Sequence, residues 1–191
     1  SPDAKRIVTA SSDNSAKIWD MTNGKLLADL IGHEGAINAV LFNPDGKKII
    51  TASNDFTART WDAVTGKLLK VLKGHKESIT KIFISPDGNR LLTVSSDKTV
   101  KLWDTDKGIL LLSLENFSGF DQTVAFSSDG KRMTTTFRDN TIRIWDTYSG
   151  KAIMTLKGHT GEIISVLFNA AGNKLLTISE DKSARVWDLS G

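Results

Sequence analysis

Histidine, serine and aspartate recur together three times along the 191-residue chain, and hydrolases use these residue types as base, nucleophile and orienting acid. An active site has no reason to be built in triplicate at one spacing, so the repetition indicates a structural element. We therefore expect no catalytic residue and no enzyme activity. The three sets, which share one internal spacing, are His33, Ser53 and Asp55; His75, Ser95 and Asp97; and His159, Ser179 and Asp181.

Metal and cofactor chemistry has little support in the sequence. Each histidine belongs to its own repeat, and ligands from separate repeats are not expected to converge on one ion. His33-Glu34 lacks the second histidine of a metalloprotease helix. The chain has no cysteine, which excludes disulfides and thiolate ligands, and it has no glycine-rich phosphate loop before a helix. We predict no metal and no cofactor.

The elements that position these residues are copies of one stretch, Gly74 to Asp104. Five tryptophans mark the copies at a constant spacing of 42 residues, which is in the range of propeller-blade repeats. We interpret residues 1–191 as one repeat domain with partial units at 1–31 and 158–191, full units at 32–73 and 74–115, and a degenerate unit at 116–157. The tryptophans are Trp19, Trp61, Trp103, Trp145 and Trp187.

Each unit contains short β-type runs separated by turn signals, and none shows the 3.6-residue period of a helix. Asn23-Gly24 is one such signal and predicts a tight hairpin with positive φ at both residues. One four-stranded sheet cannot bury both of its faces, so the units must stack on one another. The sequence predicts an all-β fold.

The fourth unit departs from the others. Asn116-Phe117 replaces Gly-His, Phe137 replaces the serine, and Asp121 replaces an apolar residue. Joint replacement of two bonded polar groups by apolar ones can be nearly neutral. We interpret the two phenylalanines as a compensated change within the core, with a ligand pocket as the alternative.

The third unit resembles the consensus of the WD-repeat (β-transducin-like) propellers. The residues that carry the resemblance are Gly74-His75, Ser85-Pro86-Asp87-Gly88, Ser95-Ser96-Asp97 and Trp103-Asp104. It implies four-stranded antiparallel blades, with strand a at about 79–84, b at 90–95, c at 99–104 and d at 109–114 of this unit. It also implies a hydrogen-bonded tetrad of histidine, serine, aspartate and tryptophan. The tetrads would be His33, Ser53, Asp55 and Trp61; His75, Ser95, Asp97 and Trp103; and His159, Ser179, Asp181 and Trp187.

In this family, partners dock on the top face, near the central channel. The corresponding positions differ between the repeats of this chain, whereas the framework residues do not. We predict a binding patch for a protein or peptide centred on Phe120, Gln122 and Arg138, with a solvated rim as the alternative. The remaining top-face positions are Asn38, Asn54, Thr80, Ser96, Glu162, Ile164 and Glu180, together with Ser12, Ala36 and Ser78.

Charge and hydropathy argue against two other partner classes. The net charge is +3, and the 25 basic residues are scattered without a cluster, so nucleic-acid binding is not expected. A basic residue recurs once per repeat in strand c, where its stem can cover apolar surface. No membrane-length apolar run and no signal-peptide core are evident, which favours a cytoplasmic protein.

The repeats by themselves leave two ways in which a propeller ring could be closed. The repeats supply about four and a half blades, with 18 strands, and an open arc leaves an apolar face in water. We expect part of a longer propeller or a ring completed by oligomerisation. The predicted function is a non-catalytic protein-interaction scaffold. The alternatives are a sensor or regulatory module of a larger multidomain protein, and a structural or engineered assembly unit.

Overall fold

The computed structural model describes residues 1–115 and 124–190. Within these ranges the chain forms 18 β-strands and no helix. The strands are β1 (Arg6–Ala10), β2 (Ala16–Asp20), β3 (Leu26–Leu30), β4 (Ile37–Phe42), β5 (Lys48–Ser53), β6 (Thr57–Asp62), β7 (Leu68–Lys73), β8 (Ile79–Ile84), β9 (Arg90–Ser95), β10 (Val100–Asp104), β11 (Ile109–Leu114), β12 (Val124–Phe126), β13 (Arg132–Thr136), β14 (Ile142–Asp146), β15 (Ala152–Leu156), β16 (Ile163–Phe168), β17 (Lys174–Ser179) and β18 (Ala184–Asp188).

The strands form five antiparallel sheets in chain order: β1–β3, β4–β7, β8–β11, β12–β15 and β16–β18. The all-β repeat fold is therefore confirmed, and in the third sheet β8, β9 and β11 have the expected bounds. The prediction of a tight hairpin turn at Asn23-Gly24 was wrong. Only Gly24 has a positive φ, of 69°, and its N–H donates to the carbonyl of Asp20 across a longer turn.

Four buried apolar clusters join successive sheets, so the core lies between the sheets. We call the side of a sheet that meets the next one its forward face, and the opposite, tryptophan-bearing side its back face. Between the third and fourth sheets, for example, Leu92 and Leu102 on a forward face share a cluster with Met133 and Trp145 on a back face. Such stacking gives each sheet the second layer that it cannot supply for itself.

The fourth sheet keeps its packing despite its unusual sequence. Phe137 is buried in the cluster with the third sheet, and the guanidinium carbon of Arg143 lies 4.2 Å from the centre of its ring. That distance is in the range of a cation–π contact. Phe117 and Asp121 lie outside the described residues, so only Phe137 of the predicted core pair is placed.

Candidate functional site

A chain of hydrogen bonds links tryptophan, threonine, histidine and aspartate in the second sheet. The indole Nε1–H of Trp61 donates to Thr51 Oγ1 over 2.8 Å, and that oxygen lies 2.7 Å from His33 Nε2. His33 Nδ1 lies 2.6 Å from Asp55 Oδ2. Because an ionised carboxylate only accepts, His33 Nδ1 carries the proton and Nε2 accepts from the threonine. The direction therefore runs from indole to hydroxyl to imidazole to carboxylate.

The same network recurs in the third and fifth sheets. His75 Nε2 lies 2.7 Å from Thr93 Oγ1, and His159 Nε2 lies 2.8 Å from Thr177 Oγ1. Their Nδ1 atoms lie 2.9 Å and 2.7 Å from the carboxylates of Asp97 and Asp181. Trp103 and Trp187 donate to their threonines over 2.9 Å. The structure thus brings together three of the four residue types expected from the family resemblance.

The family resemblance implied that serine supplies the hydroxyl of the hydrogen-bonded tetrad, and that part of the expectation was wrong, because serine bonds neither the tryptophan nor the histidine in the described structure. Ser53 Oγ donates to the carbonyl of Gly35 over 2.7 Å and accepts from the N–H of Asp55 over 3.0 Å. Ser53 lies at the end of β5, opposite Ile37, whereas Thr51 lies two residues earlier, within reach of the indole. Ser95 and Ser179 bond in the same way to the carbonyls of Glu77 and Gly161.

The sequence did contain a signal for the threonine. A threonine occurs ten residues before the tryptophan in all five repeats, and in each the indole donates to it over 2.8–2.9 Å. The five are Thr9, Thr51, Thr93, Thr135 and Thr177. Because serine and histidine are not bonded to each other, the phenylalanines of the fourth repeat do not replace a bonded pair.

Hydrogen bonds hold the aspartates ionised. Burial by itself would raise the pKa of Asp55, but hydrogen bonds from Thr57 and His33 and from two backbone N–H groups lower it to about 2. At Asp97 the backbone N–H of Lys76 and the hydroxyl of Thr99 likewise outweigh burial and lower the pKa. Ser183 and His159 lower the pKa of Asp181.

Burial also keeps two of the histidines neutral. It lowers the pKa of His33 and of His75 against the opposing pull of their aspartates. Each imidazole is fully enclosed, and Thr51 and Thr93 have no exposed surface. A substrate cannot reach these hydroxyls, so the network can organise a sheet but cannot carry out hydrolysis as it stands.

The top face is the end of the sheets at which strand b ends and strand c begins. Strand a of the second, third and fifth sheets starts there with a bulge, where the register shifts after Ile37, Ile79 and Ile163. The extra residues at these bulges are Asn38, Thr80 and Ile164, and all three are exposed. A β-bulge redirects a side chain away from the regular pleat. The folding pattern thus presents three of the predicted top-face positions to solvent.

Backbone hydrogen bonds fix the positions around each bulge. The N–H of Asn54 donates to Ala36, that of Ser96 to Ser78, and that of Glu180 to Glu162, over 2.8–2.9 Å. In the second sheet Asn38 Nδ2 lies 2.6 Å from Asn54 Oδ1 and 3.0 Å from the carbonyl of Ile79 in the next sheet. This amide therefore connects two blades.

The predicted centre of the binding patch is placed only in part. Arg138 is exposed in the turn between β13 and β14, while Phe120 and Gln122 lie outside the described residues. Ser12, Asn54, Ser96 and Glu180 are also exposed in or beside the corresponding turns.

These repeats match a family model over most of the chain. The model is described as "WD domain, G-beta repeat", and it matches residues 1–20, 24–62, 66–104, 117–146 and 150–188. The chain belongs to the WD-repeat family.

Individual relatives share about one repeat with this WD-repeat chain. An F-box/WD repeat-containing protein A of Dictyostelium discoideum is 50% identical over 34 residues, which are 18% of this chain and 3% of that protein. A U5 small nuclear ribonucleoprotein 40 kDa protein of Pongo abelii is 44% identical over 43 residues, or 22% of this chain and 12% of the relative. The small ribosomal subunit protein RACK1y of Oryza sativa subsp. japonica is 51% identical over 39 residues, or 20% and 12%. The alignments thus cover only a small part of each relative.

One exposed aromatic residue on the top face was not predicted from the sequence. Phe56, in the turn after β5, has a positive φ of 68° and is 45% exposed. A bulky residue with positive φ is uncommon, and the equivalent turns of the other repeats use asparagine or lysine. Phe56 lies beside a groove that Arg59 and Lys73 also line. Its signal in the sequence was an aromatic residue at a turn position that is otherwise polar.

The recurrent basic residues of strand c make contacts within their own sheets. Lys17 pairs with Asp29, Arg59 Nη2 lies 3.5 Å from Asp55 Oδ2, and Lys101 Nζ donates to Ser113. Such contacts hold these three side chains against their own blades.

Two absences hold for the described ranges. In residues 1–115 and 124–190 no three His, Asp or Glu side chains cluster closely enough to hold a metal ion. Nor does this part of the chain contain a helix with the length and hydropathy of a membrane span.

Proposed function

We propose that the protein is a non-catalytic scaffold that binds a protein or peptide partner on its top face. The observation that carries the proposal is the repeated bulge, which directs Asn38, Thr80 and Ile164 to solvent from an otherwise constant framework. Bulges are frequent next to binding and active sites. The WD-repeat relatives have diverse names, which is consistent with one scaffold that presents different surfaces.

The chemistry of the top face suits a protein partner. In the second repeat the exposed ring of Phe56 lies in the same turn as Asn54, whose side chain is held by Asn38. The fourth repeat adds Arg138, which is exposed, and the fifth adds the apolar side chain of Ile164, which is 43% exposed. Aromatic residues and arginine are enriched among the residues that dominate binding energy. The patch centred on Phe120, Gln122 and Arg138 remains part of this proposal.

Site-specific photo-crosslinking tests the proposal. A photoreactive residue at position 138 or 164 should capture the same protein from cells of the source. The same residue at Val64, which is 72% exposed in a turn at the opposite end of the sheets, should not capture it. Equal capture from Val64, or unrelated proteins from the two top-face positions, would contradict a top-face site.

A binding measurement with the captured partner completes the test. The Arg138→Ala and Ile164→Ala double variant should weaken binding by about tenfold or more if the patch holds hot-spot residues. Val64→Ala serves as the matched control and should leave the affinity unchanged. An unchanged affinity for the double variant would remove these two residues from the proposal.

A further inference from the structure

The forward face of the last sheet carries a row of exposed apolar side chains. Leu167 of β16 pairs with Leu176 of β17, which pairs in turn with Val186 of β18. They are 56%, 38% and 67% exposed, and Ile178 beside them is 39% exposed. Contiguous apolar surface of this kind marks an interaction site in a soluble protein.

The equivalent row is buried two repeats earlier in the chain. In the third sheet Phe83 pairs with Leu92 and Leu92 with Leu102, and the two leucines are at most 1% exposed. The fourth sheet covers them with the cross-strand pair Met133 and Trp145. A row of this kind is therefore buried by the back face of a neighbouring sheet, on which an aliphatic residue pairs with tryptophan.

One back face of that kind is uncovered in the described chain. In the first sheet Ile7 pairs with Trp19, and Ile7 is 45% exposed. The indole of Trp19 already donates to Thr9 over 2.9 Å, as in every other repeat, so its orientation matches that of the covered tryptophans. Strands b and c, which carry this pair, are both present in the first sheet as β1 and β2.

We infer that two copies of this chain associate head to tail, with Ile7 and Trp19 of one copy covering the row Leu167, Leu176 and Val186 of another. The contact continues the stacking that already joins the five sheets. It is heterologous, because each copy contributes a different face, so each chain can bind one neighbour at either end. This surface is separate from the top face and does not depend on the proposed function.

Blocked-end variants test the inference with residues 1–191. Ile7→Glu places a charge in the first back face, and Leu176→Glu with Val186→Glu places charges in the last forward face. Multi-angle light scattering should show wild-type mass rising with concentration above the 20.8 kDa monomer. Each blocked variant should remain a monomer. Ile153→Glu is the control, because Ile153 is 51% exposed in the outer strand of the fourth sheet, away from both end faces, and it should associate like wild type.

Mixing the two blocked variants gives the decisive result. One retains an open last face and the other an open first face, so the mixture should form dimers and nothing larger. A mixture that stays monomeric while wild type associates would overturn the head-to-tail contact. Association of the Ile7→Glu variant alone would show that the last face pairs with itself, which also overturns it. A monomeric wild type would likewise overturn the inference, because the row would then not be covered by a second copy.

Circular dichroism and tryptophan fluorescence should show that the variants are folded. If the double variant is not, Leu167→Glu at the other edge of the row provides an independent block of the last face. It should remain monomeric alone and dimerise with the Ile7→Glu variant, and either failure counts against the inference.

Discussion

Replacing Thr93 by valine removes the hydroxyl at the centre of the third-sheet network. Valine keeps the branched shape of threonine, so the packing volume changes little. Thr93 has no exposed surface, and its oxygen bonds both the indole of Trp103 and Nε2 of His75. The substitution therefore leaves a buried donor and a buried acceptor without their partner.

The expected magnitude follows from the number of orphaned groups. Leaving one buried polar group unsatisfied costs about 1–3 kcal/mol. Two groups at Thr93 give about 2–6 kcal/mol of lost unfolding free energy. Thr135→Val in the fourth sheet is the matched control, because the sequence has Phe117 where the other repeats have histidine, and within residues 1–115 and 124–190 the indole of Trp145 is the one side chain that bonds that threonine. This variant should lose about 1–3 kcal/mol.

Urea unfolding followed by tryptophan fluorescence measures both losses, provided that the slope of free energy against urea stays constant between variants. Measurements at low protein concentration keep association from adding to stability. A Thr93→Val loss below about 0.5 kcal/mol, or one no larger than that of Thr135→Val, would refute the assignment of threonine as the linking hydroxyl.

Three further outcomes are expected from the same assay. Gly88→Ala should lower the unfolding free energy more than Gly24→Ala does, because both glycines have positive φ but a Cβ at Gly88 would collide with the side chain of Asn43 in the turn after β4, whereas a Cβ at Gly24 would meet open space. Equal losses would contradict this. Lys98→Asn should raise the unfolding free energy by about 0.5–1 kcal/mol, because Lys98 has a φ of 64° and asparagine tolerates that region better than lysine. A lower unfolding free energy would argue against backbone strain at this residue. Stability should fall as the pH drops below 6.5, because the unfolded state then protonates His33 more readily than the folded state does, and a urea midpoint that rises between about pH 7.5 and about pH 5 would contradict the His33 shift. Stability should fall again below about pH 4, because the unfolded state protonates Asp55 before the folded state does, and a midpoint that does not fall between about pH 4 and about pH 2.5 would contradict the Asp55 shift.

The sequence alone determined the architecture of this protein. The constant interval between tryptophans fixed the unit, and the alternation of apolar runs with turn signals defined its strands closely enough to place β8, β9 and β11. These features are local: a strand needs only its own pattern, and a repeat needs only a comparison of the chain with itself. The positions of Asn38, Thr80 and Ile164 on the top face came from the family resemblance.

Tertiary structure decided the contacts that depend on register and stacking. Ser53 and Thr51 are both hydroxyl residues on one strand, and only the cross-strand register shows that Thr51 meets the indole while Ser53 meets a backbone carbonyl. Likewise, Leu92 and Leu176 are the same residue at equivalent positions, yet one is buried and the other is 38% exposed. The difference lies in whether a neighbouring sheet covers them, because burial is a property of the assembled stack and not of the repeat.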